Sequence, residues 1–234
     1  MNGDSLRATL ERVRERIESA RARAGRQEGV EIVAVTKGHG DDVVNAALSA
    51  GLRALGENRV QELAGKVERL RASGRGSAAE WHLIGHLQRN KVKQALPLFD
   101  LIHSIDSERL AAELSKEAQS AGRTVVGLVQ VNTSGETAKS GFPFDGAVDG
   151  VARVCELDRL EIVGLMTMAP LTDDEATLRT TFRRARELFD RCASLPRFRA
   201  RHLSMGMSND FEIAVEEGST MVRLGTVLFG ERQR

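Results

Sequence analysis

Apolar residues along this chain alternate between two rhythms. One is the short continuous run: Ile32–Val35, Leu52–Leu55, Trp81–Ile84, Leu101–Ile105, Val125–Val131, Leu160–Met166, residues 202–204 and Met221–Leu224. Runs of this length, rich in β-branched residues and bounded by turn residues, read as strands buried on both faces, as in parallel sheets. The run at 202–204 is the weakest. The other rhythm is helical. Leu6, Leu10, Val13 and Ile17 recur among arginines and glutamates ahead of the first strand, with Gly25 as a stop. Val43, Val44, Ala47 and Leu48 make a helix that begins at Asp41-Asp42 and ends at Gly51, and Leu63, Val67 and Leu70 carry the next. Asp106 or Ser107 caps a helix closed by Gly122, and Asp173-Asp174 starts a long charged one towards Leu195. The loop from Ala72 to Ser77 is too short for an interdomain linker.

Strand and helix therefore alternate about eight times, at roughly 30 residues per unit, which predicts an α/β fold: a single (β/α)₈ TIM barrel over residues 1–234 with an extra N-terminal amphipathic helix. A doubly wound sheet also alternates, but its glycine-rich fingerprint after the first strand is missing. In a barrel every loop after a strand faces one mouth. That makes neighbours of Lys37, Asn58, His86, Asn132, Met166, Ser208 and Gly225-Thr226.

The formal charge of +1 gives no reason to expect nucleic acid or an anionic membrane as partner. No apolar run is long enough to cross a bilayer and the N-terminus is charged from Asp4, so the cytoplasm is the expected location. The two cysteines, Cys155 and Cys192, fall at helical positions and read as buried thiols before a disulfide or metal pair. The chain has no tyrosine, which removes one common acid or base.

Lys37 follows the first strand directly, and Gly38-His39-Gly40 follows it. A lysine there either snorkels to water or carries chemistry at the barrel mouth. Across the same mouth, Ser208 offers a hydroxyl as a helix begins, and Gly225-Thr226 offers free backbone N–H groups after the last strand. Each segment alone reads equally as an N-cap. Together they occupy the customary phosphate corner of these barrels, where helix N-termini carry partial positive charge. An amine and a phosphate cradle suit an aldehyde bearing a phosphate. Pyridoxal 5′-phosphate fits, with the lysine condensing to a Schiff base. Free lysine titrates near ~10.4, and partial burial favours the neutral nucleophile. Arg223, two residues before Gly225, points to the ring nitrogen; a guanidinium keeps that nitrogen unprotonated and the ring a poor electron sink. His82 lies inside the third strand, facing either the barrel or a helix, and both it and His86 read as structural before acid or base; His39 has no role legible from position, and Lys139 reads as a solvent-facing loop charge.

Ala34-Val35-Thr36-Lys37, Gly56-Glu57-Asn58-Arg59-Val60-Gln61-Glu62 and Trp81-His82-Leu83-Ile84-Gly85 resemble the pyridoxal phosphate homeostasis protein family. So do Leu87-Gln88-Arg89-Asn90-Lys91, Gly164-Leu165-Met166-Thr167, Leu203-Ser204-Met205-Gly206-Met207-Ser208 and Val222-Arg223-Leu224-Gly225-Thr226. The resemblance covers nearly the whole chain in order. It implies a barrel similar to the N-terminal domain of alanine racemase, of fold type III. It assigns the cofactor's Schiff base to Lys37, its phosphate to Ser208 and the Gly225-Thr226 backbone, and its ring nitrogen to Arg223. Asn58, Met166, Ser204 and Met205 match positions lining the cofactor. Relatives often carry a threonine and a proline soon after the lysine, where this chain has Gly38-His39-Gly40.

Three functions follow as expectations. The first is a non-catalytic binder that holds pyridoxal phosphate and hands it to apo-enzymes that depend on it, as a monomer. The alternative is an amino-acid racemase or related enzyme, which needs two opposed bases. Lys37 supplies one, but the chain has no tyrosine for the other and ends eight residues after Thr226, with no room for the racemase second domain. A barrel enzyme acting on another sugar phosphate explains the cradle but not the run around Lys37.

Overall fold

Eight strands pair in parallel around a closed circle in the computed structural model, which describes residues 3–72, 79–136 and 140–231. They are β1 (Glu31–Val35), β2 (Ala54–Glu57), β3 (Glu80–Leu83), β4 (Leu101–Ile105), β5 (Val125–Asn132), β7 (Leu160–Met166), β8 (His202–Met207) and β9 (Met221–Leu224). The order runs β4-β3-β2-β1-β9-β8-β7-β5, and β4 pairs with β5 to close the ring. A two-residue strand, β6 (Phe142–Pro143), pairs with the end of β5 outside the ring. The (β/α)₈ barrel expected from the alternation is the fold.

The outer layer contains α2 (Asp41–Ser49), α3 (Val60–Ala72), α4 (Val92–Ala95), α5 (Glu108–Ser120), α6 (Ala147–Cys155), α7 (Glu175–Cys192), α8 (Phe211–Glu216) and α9 (Thr226–Phe229). The extra N-terminal helix is α1 (Gly3–Arg23), which buries Leu6, Leu10, Val13 and Ile17 against α8 and α9. Its end is marked by Gly25 in the left-handed region, φ 63°. Of the two cap candidates, Ser107 serves: its hydroxyl accepts from the Leu110 N–H at 3.3 Å. Asp106 instead meets His86 Nδ1 at 3.0 Å. Asp174 caps α7 through the N–H groups of Ala176 and Thr177. Cys155 and Cys192 are free, buried thiols, both pushed up to about 11 by burial.

Five strands differ from their expected ends, β1 and β5 by a single residue, at Glu31 and Asn132. β2 lies two residues later than the apolar run, because its register on β1 is set by Ala34↔Leu55 and Val35↔Gly56. Glu57, which reads as loop, is therefore inside a strand and fully buried. β3 starts one residue earlier, at Glu80, and the weak run at 202 extends to Met207. That extension passes through Gly206 at φ 94°, where a Cβ would sit 2.7 Å from the Ala214 Cβ. Only glycine takes this turn, and the turn places Ser208 at the mouth. Residues 73–77 of the loop expected over 72–77, and Lys139, lie outside the described residues.

His202 opens β8 on the face opposite the mouth, and burial, then Arg201 and His82, lower it to about 4 from 6.5. His103 is pushed in the same direction, first by burial. The unfolded chain therefore takes up these protons first as pH falls, and stability is lost from pH ~6.5 down towards ~4. The His202 contribution is on the order of 1–2 kcal/mol after solvent screening. Urea unfolding midpoints should fall across that window, and His202→Gln should flatten the profile there. An unchanged slope in the variant would assign the loss to other groups.

Candidate functional site

The C-terminal ends of β1, β8 and β9 converge on one corner, since β9 lies between the other two. Ser208 follows β8, and its Oγ accepts from the backbone N–H groups of Gly225 and Val227, both at 3.3 Å. Long bonds of this kind leave the hydroxyl and two amides free to turn onto a better acceptor, which is what an anion cradle requires. The second amide is that of Val227, which the sequence reading missed; Thr226, between them, is exposed. Gly225 faces β1: a Cβ built there lies 3.5 Å from the Val35 Cβ, so the absent side chain leaves the approach from Lys37 to the cradle open.

Lys37 sits two positions past β1, partly buried. Thr36 turns outwards, with its hydroxyl on Glu57, and Lys37 follows it at the turn after the strand. The backbone on either side of the lysine is fixed by groups that nothing in the strand pattern announces. Lys66, buried on α3, donates to the Thr36 carbonyl at 2.8 Å and to Glu57 Oε1 at 2.6 Å. The Thr36 hydroxyl donates to the same oxygen at 2.7 Å. Glu62 accepts the Gly38 N–H at 2.5 Å and also contacts Lys66 at 3.2 Å. Burial raises the Glu57 carboxyl above its usual range against the pull of Lys66 and Thr36. His39 is tied too, its ring centroid 5.5 Å from that of Phe229 on α9. This joins the loop after β1 to the helix behind the cradle.

Arg223 is buried beneath the cradle. Its Nη1 donates to the Ser204 carbonyl at 2.9 Å and hydroxyl at 2.7 Å, and its Nη2 to the Thr167 carbonyl at 2.9 Å. These bonds use three of the five N–H groups of a guanidinium. Burial lowers Arg223 to about 10, so it is still charged at neutral pH. Asp210, which accepts the Met207 N–H at 2.5 Å, is the carboxylate facing it.

The other expected residues separate. Ser204 and Met166 are fully buried in the barrel, below the mouth. Met205 packs in the layer between strands and helices, so only its backbone is available to the mouth. Asn58 lines a different part of the mouth, a cavity of about 360 Å³ shared with Gly85, His86, Gln88 and Lys91. Gly85 is needed there, since a Cβ would fall 2.4 Å from the Asn58 carbonyl oxygen. His82 faces the barrel interior rather than a helix, in contact with His103 at 3.0 Å. A larger cavity, about 460 Å³, opens on the opposite face beside Glu31 and Arg53 and contains none of the candidate residues. Among the described residues no cluster of His, Cys, Asp or Glu could hold a metal ion, and no helix is long and apolar enough to cross a membrane.

The parallel barrel has a lysine after its first strand, and a hydroxyl with two backbone amides after its last two. The family profile of the alanine racemase N-terminal domain matches residues 8–233. A pyridoxal phosphate homeostasis protein of Aquifex aeolicus is 41% identical over 225 residues, covering 96% of this chain and 97% of the relative. A crystal structure of a Bifidobacterium adolescentis protein superposes with a TM-score of 0.90 at 40% identity, covering 97% of this chain and 95% of that one. PipY of Synechococcus elongatus, solved with PLP bound, gives a TM-score of 0.79 at 36% identity, covering 92% of this chain and 99% of its own. The chain belongs to the pyridoxal phosphate homeostasis protein family, within the alanine racemase N-terminal domain fold.

Proposed function

We propose that this chain, one domain over residues 1–234, binds pyridoxal 5′-phosphate through a Schiff base on Lys37 and serves intracellular cofactor homeostasis and delivery, as a cytoplasmic monomer. The single observation that carries the reading is the corner where Ser208, the Gly225 and Val227 amides and Arg223 gather one strand away from Lys37. The PLP-bound PipY structure supports it at 36% identity. When bound, the cofactor supplies an aldehyde that a primary amine captures with loss of water. Lys37 is the amine, aimed by the bonds that hold Thr36 and Gly38. Ser208 and the two amides would take the phosphate, Arg223 would serve the ring nitrogen, and Asn58, Thr226 and the Met205 backbone would line the mouth. Ser204 and Met166 act from below, the first by holding Arg223.

The test of the cradle is selective. Ser208→Ala should weaken PLP binding by about 10- to 100-fold, since a hydrogen bond to a charged group is worth roughly 1.5–3 kcal/mol. Binding of unphosphorylated pyridoxal should barely change. Equal loss for both ligands, read by absorbance titration, would remove Ser208 from the phosphate site.

The same geometry favours holding over turnover. A guanidinium that remains charged donates a hydrogen bond to the ring nitrogen without transferring its proton, and the chain has no tyrosine to act opposite Lys37. A missing acid or base typically costs ~10²–10⁴ in rate. Holo-protein kept with L-alanine in deuterated water should show negligible α-proton exchange. Formation of D-alanine by chiral analysis at about 1–10³ per second would make the protein a racemase instead.

A further inference from the structure

The interior of a (β/α)₈ barrel is ordinarily filled by branched apolar side chains, and here Val33, Leu101, Leu128 and Val163 fill it in part. A polar file crosses the rest. Glu80 Oε1, at the entry of β3, lies 3.4 Å from His82 Nε2. His82 Nδ1 lies 3.0 Å from His103 Nε2, and His103 Nδ1 lies 3.1 Å from Ser204 Oγ. Ser204 Oγ receives Arg223 Nη1 at 2.7 Å. The four inner residues are buried, while the Glu80 side chain is half exposed at the far face. His82 Nε2 has no hydrogen-bond partner of ordinary length; the Glu80 carboxylate is the acceptor facing it.

Only one direction of donation satisfies this file. A guanidinium has donors and no acceptor, so the Ser204 oxygen must accept from Arg223. The Ser204 hydroxyl proton then has one recipient, His103 Nδ1. With Nδ1 accepting, neutral His103 carries its proton on Nε2 and gives it to His82 Nδ1. His82 in turn carries its proton on Nε2, aimed at the Glu80 carboxylate. The reverse order fails at both ends. It strands the Ser204 proton against a cation, and it sets a bare imidazole nitrogen against a carboxylate.

We propose that Glu80, His82, His103 and Ser204 are positioning residues, a one-way hydrogen-bond file that orients the Arg223 guanidinium at the ring end of the cofactor site and couples it to the opposite face of the barrel. The coupling rests on the function proposed above; the proton order does not. Burial holds His103 far below the usual histidine range, and the nearby His82 side chain, ahead of burial, lowers Glu80, so the file has a neutral His103 at its centre and an ionised carboxylate at its end. The charged and titratable groups around the two imidazoles are Glu31 on β1, Glu80 on β3, Arg201 and His202 at β8 and Arg223 on β9.

The test begins without cofactor. In protein labelled with ¹⁵N-histidine, His82 and His103 should each appear as a single tautomer with the proton on Nε2. Ser204→Ala should turn His103 into a mixture of tautomers, and Ser204→Thr, which keeps the hydroxyl, should restore the single form. Glu80→Leu, at a half-exposed side chain, should mix the His82 tautomers in a folded protein. A proton on His103 Nδ1 in the parent, or tautomers indifferent to Ser204→Ala, would overturn the file. Adding PLP should then shift the His103 resonances in the parent and leave them unmoved in Ser204→Ala. Binding seen by absorbance with no shift in the parent would overturn the coupling alone. Absence of binding would overturn the proposed function, and the coupling with it, while the ligand-free spectra decide the proton order independently.

Discussion

In Lys37→Ala, borohydride leaves no cofactor attached to the chain, and the barrel stays folded. The strand that carries the lysine is held by Val33, Ala34 and Val35, all buried, and by pairing on both sides with β2 and β9. The loop is held through its backbone, at Thr36 by Lys66 and at Gly38 by Glu62. None of these bonds uses the Lys37 amine. What disappears is the covalent capture, while the cradle and Arg223 still hold the phosphate and the ring weakly. Visible absorbance before and after reduction, followed by peptide mapping, gives the answer. Attachment in the parent protein at Lys91 or Lys139 instead would mean that the amine of this site has been misplaced.

Lys66→Met should cost about 3–5 kcal/mol, the usual penalty for removing one partner of a buried ion pair. For a chain of this size that is a fall of roughly 10 °C in Tm. The cause is Glu57. Its Oε1 loses the cation at 2.6 Å, and its Oε2 already has no hydrogen-bond partner. Burial raises the Glu57 pKa, and it does so more strongly once Lys66 is gone. The deficit should therefore be full above that raised pKa and shrink as pH falls through it towards ~4.3, the unfolded value. Glu57→Gln added to Lys66→Met should recover most of the loss, because the uncompensated charge is then absent. Cofactor binding should recover less, since the Thr36 carbonyl still lacks its tether. A single variant as stable as the parent would show that this pair does not anchor the loop.

Much of the barrel is legible in the pattern of residues. Leu101–Ile105, Leu160–Met166 and Met221–Leu224 are strands with the same ends as their apolar runs, because a strand buried on both faces tolerates few polar residues and its limits are then marked by turns. Caps such as Ser107 and Asp174 are equally local, each satisfying amides two or three residues away. β2 was displaced because Gly56-Glu57 reads as a turn, while Glu57 is made compatible with a buried strand by Lys66, nine residues on and on another element. The site divides in the same way. Lys37, Ser208, Gly225 and Arg223 are signalled by residue type at a strand end. Val227 contributes only a backbone amide, and His103 has no local mark inside its apolar run.

The sequence by itself determined the period of the elements, their caps and stops, the closed parallel barrel, and the residue types placed at the ends of its strands. Those features depend on spacing within a few residues, or on the fixed rule that loops after parallel strands share a face. Only the tertiary structure decided which polar residues meet inside. His103 reaches Ser204 across 101 positions and Lys66 reaches the Thr36 carbonyl across 30, so no local pattern relates either pair. Alternation along β8 turns Met205 to the helices while Ser204 faces Arg223, but the register shift between Ser204 and Met207 against β9 is set by the neighbouring strand and has no local mark. A side chain's face is set by the strand beside it, and a buried charge finds its partners only when the ring of strands closes.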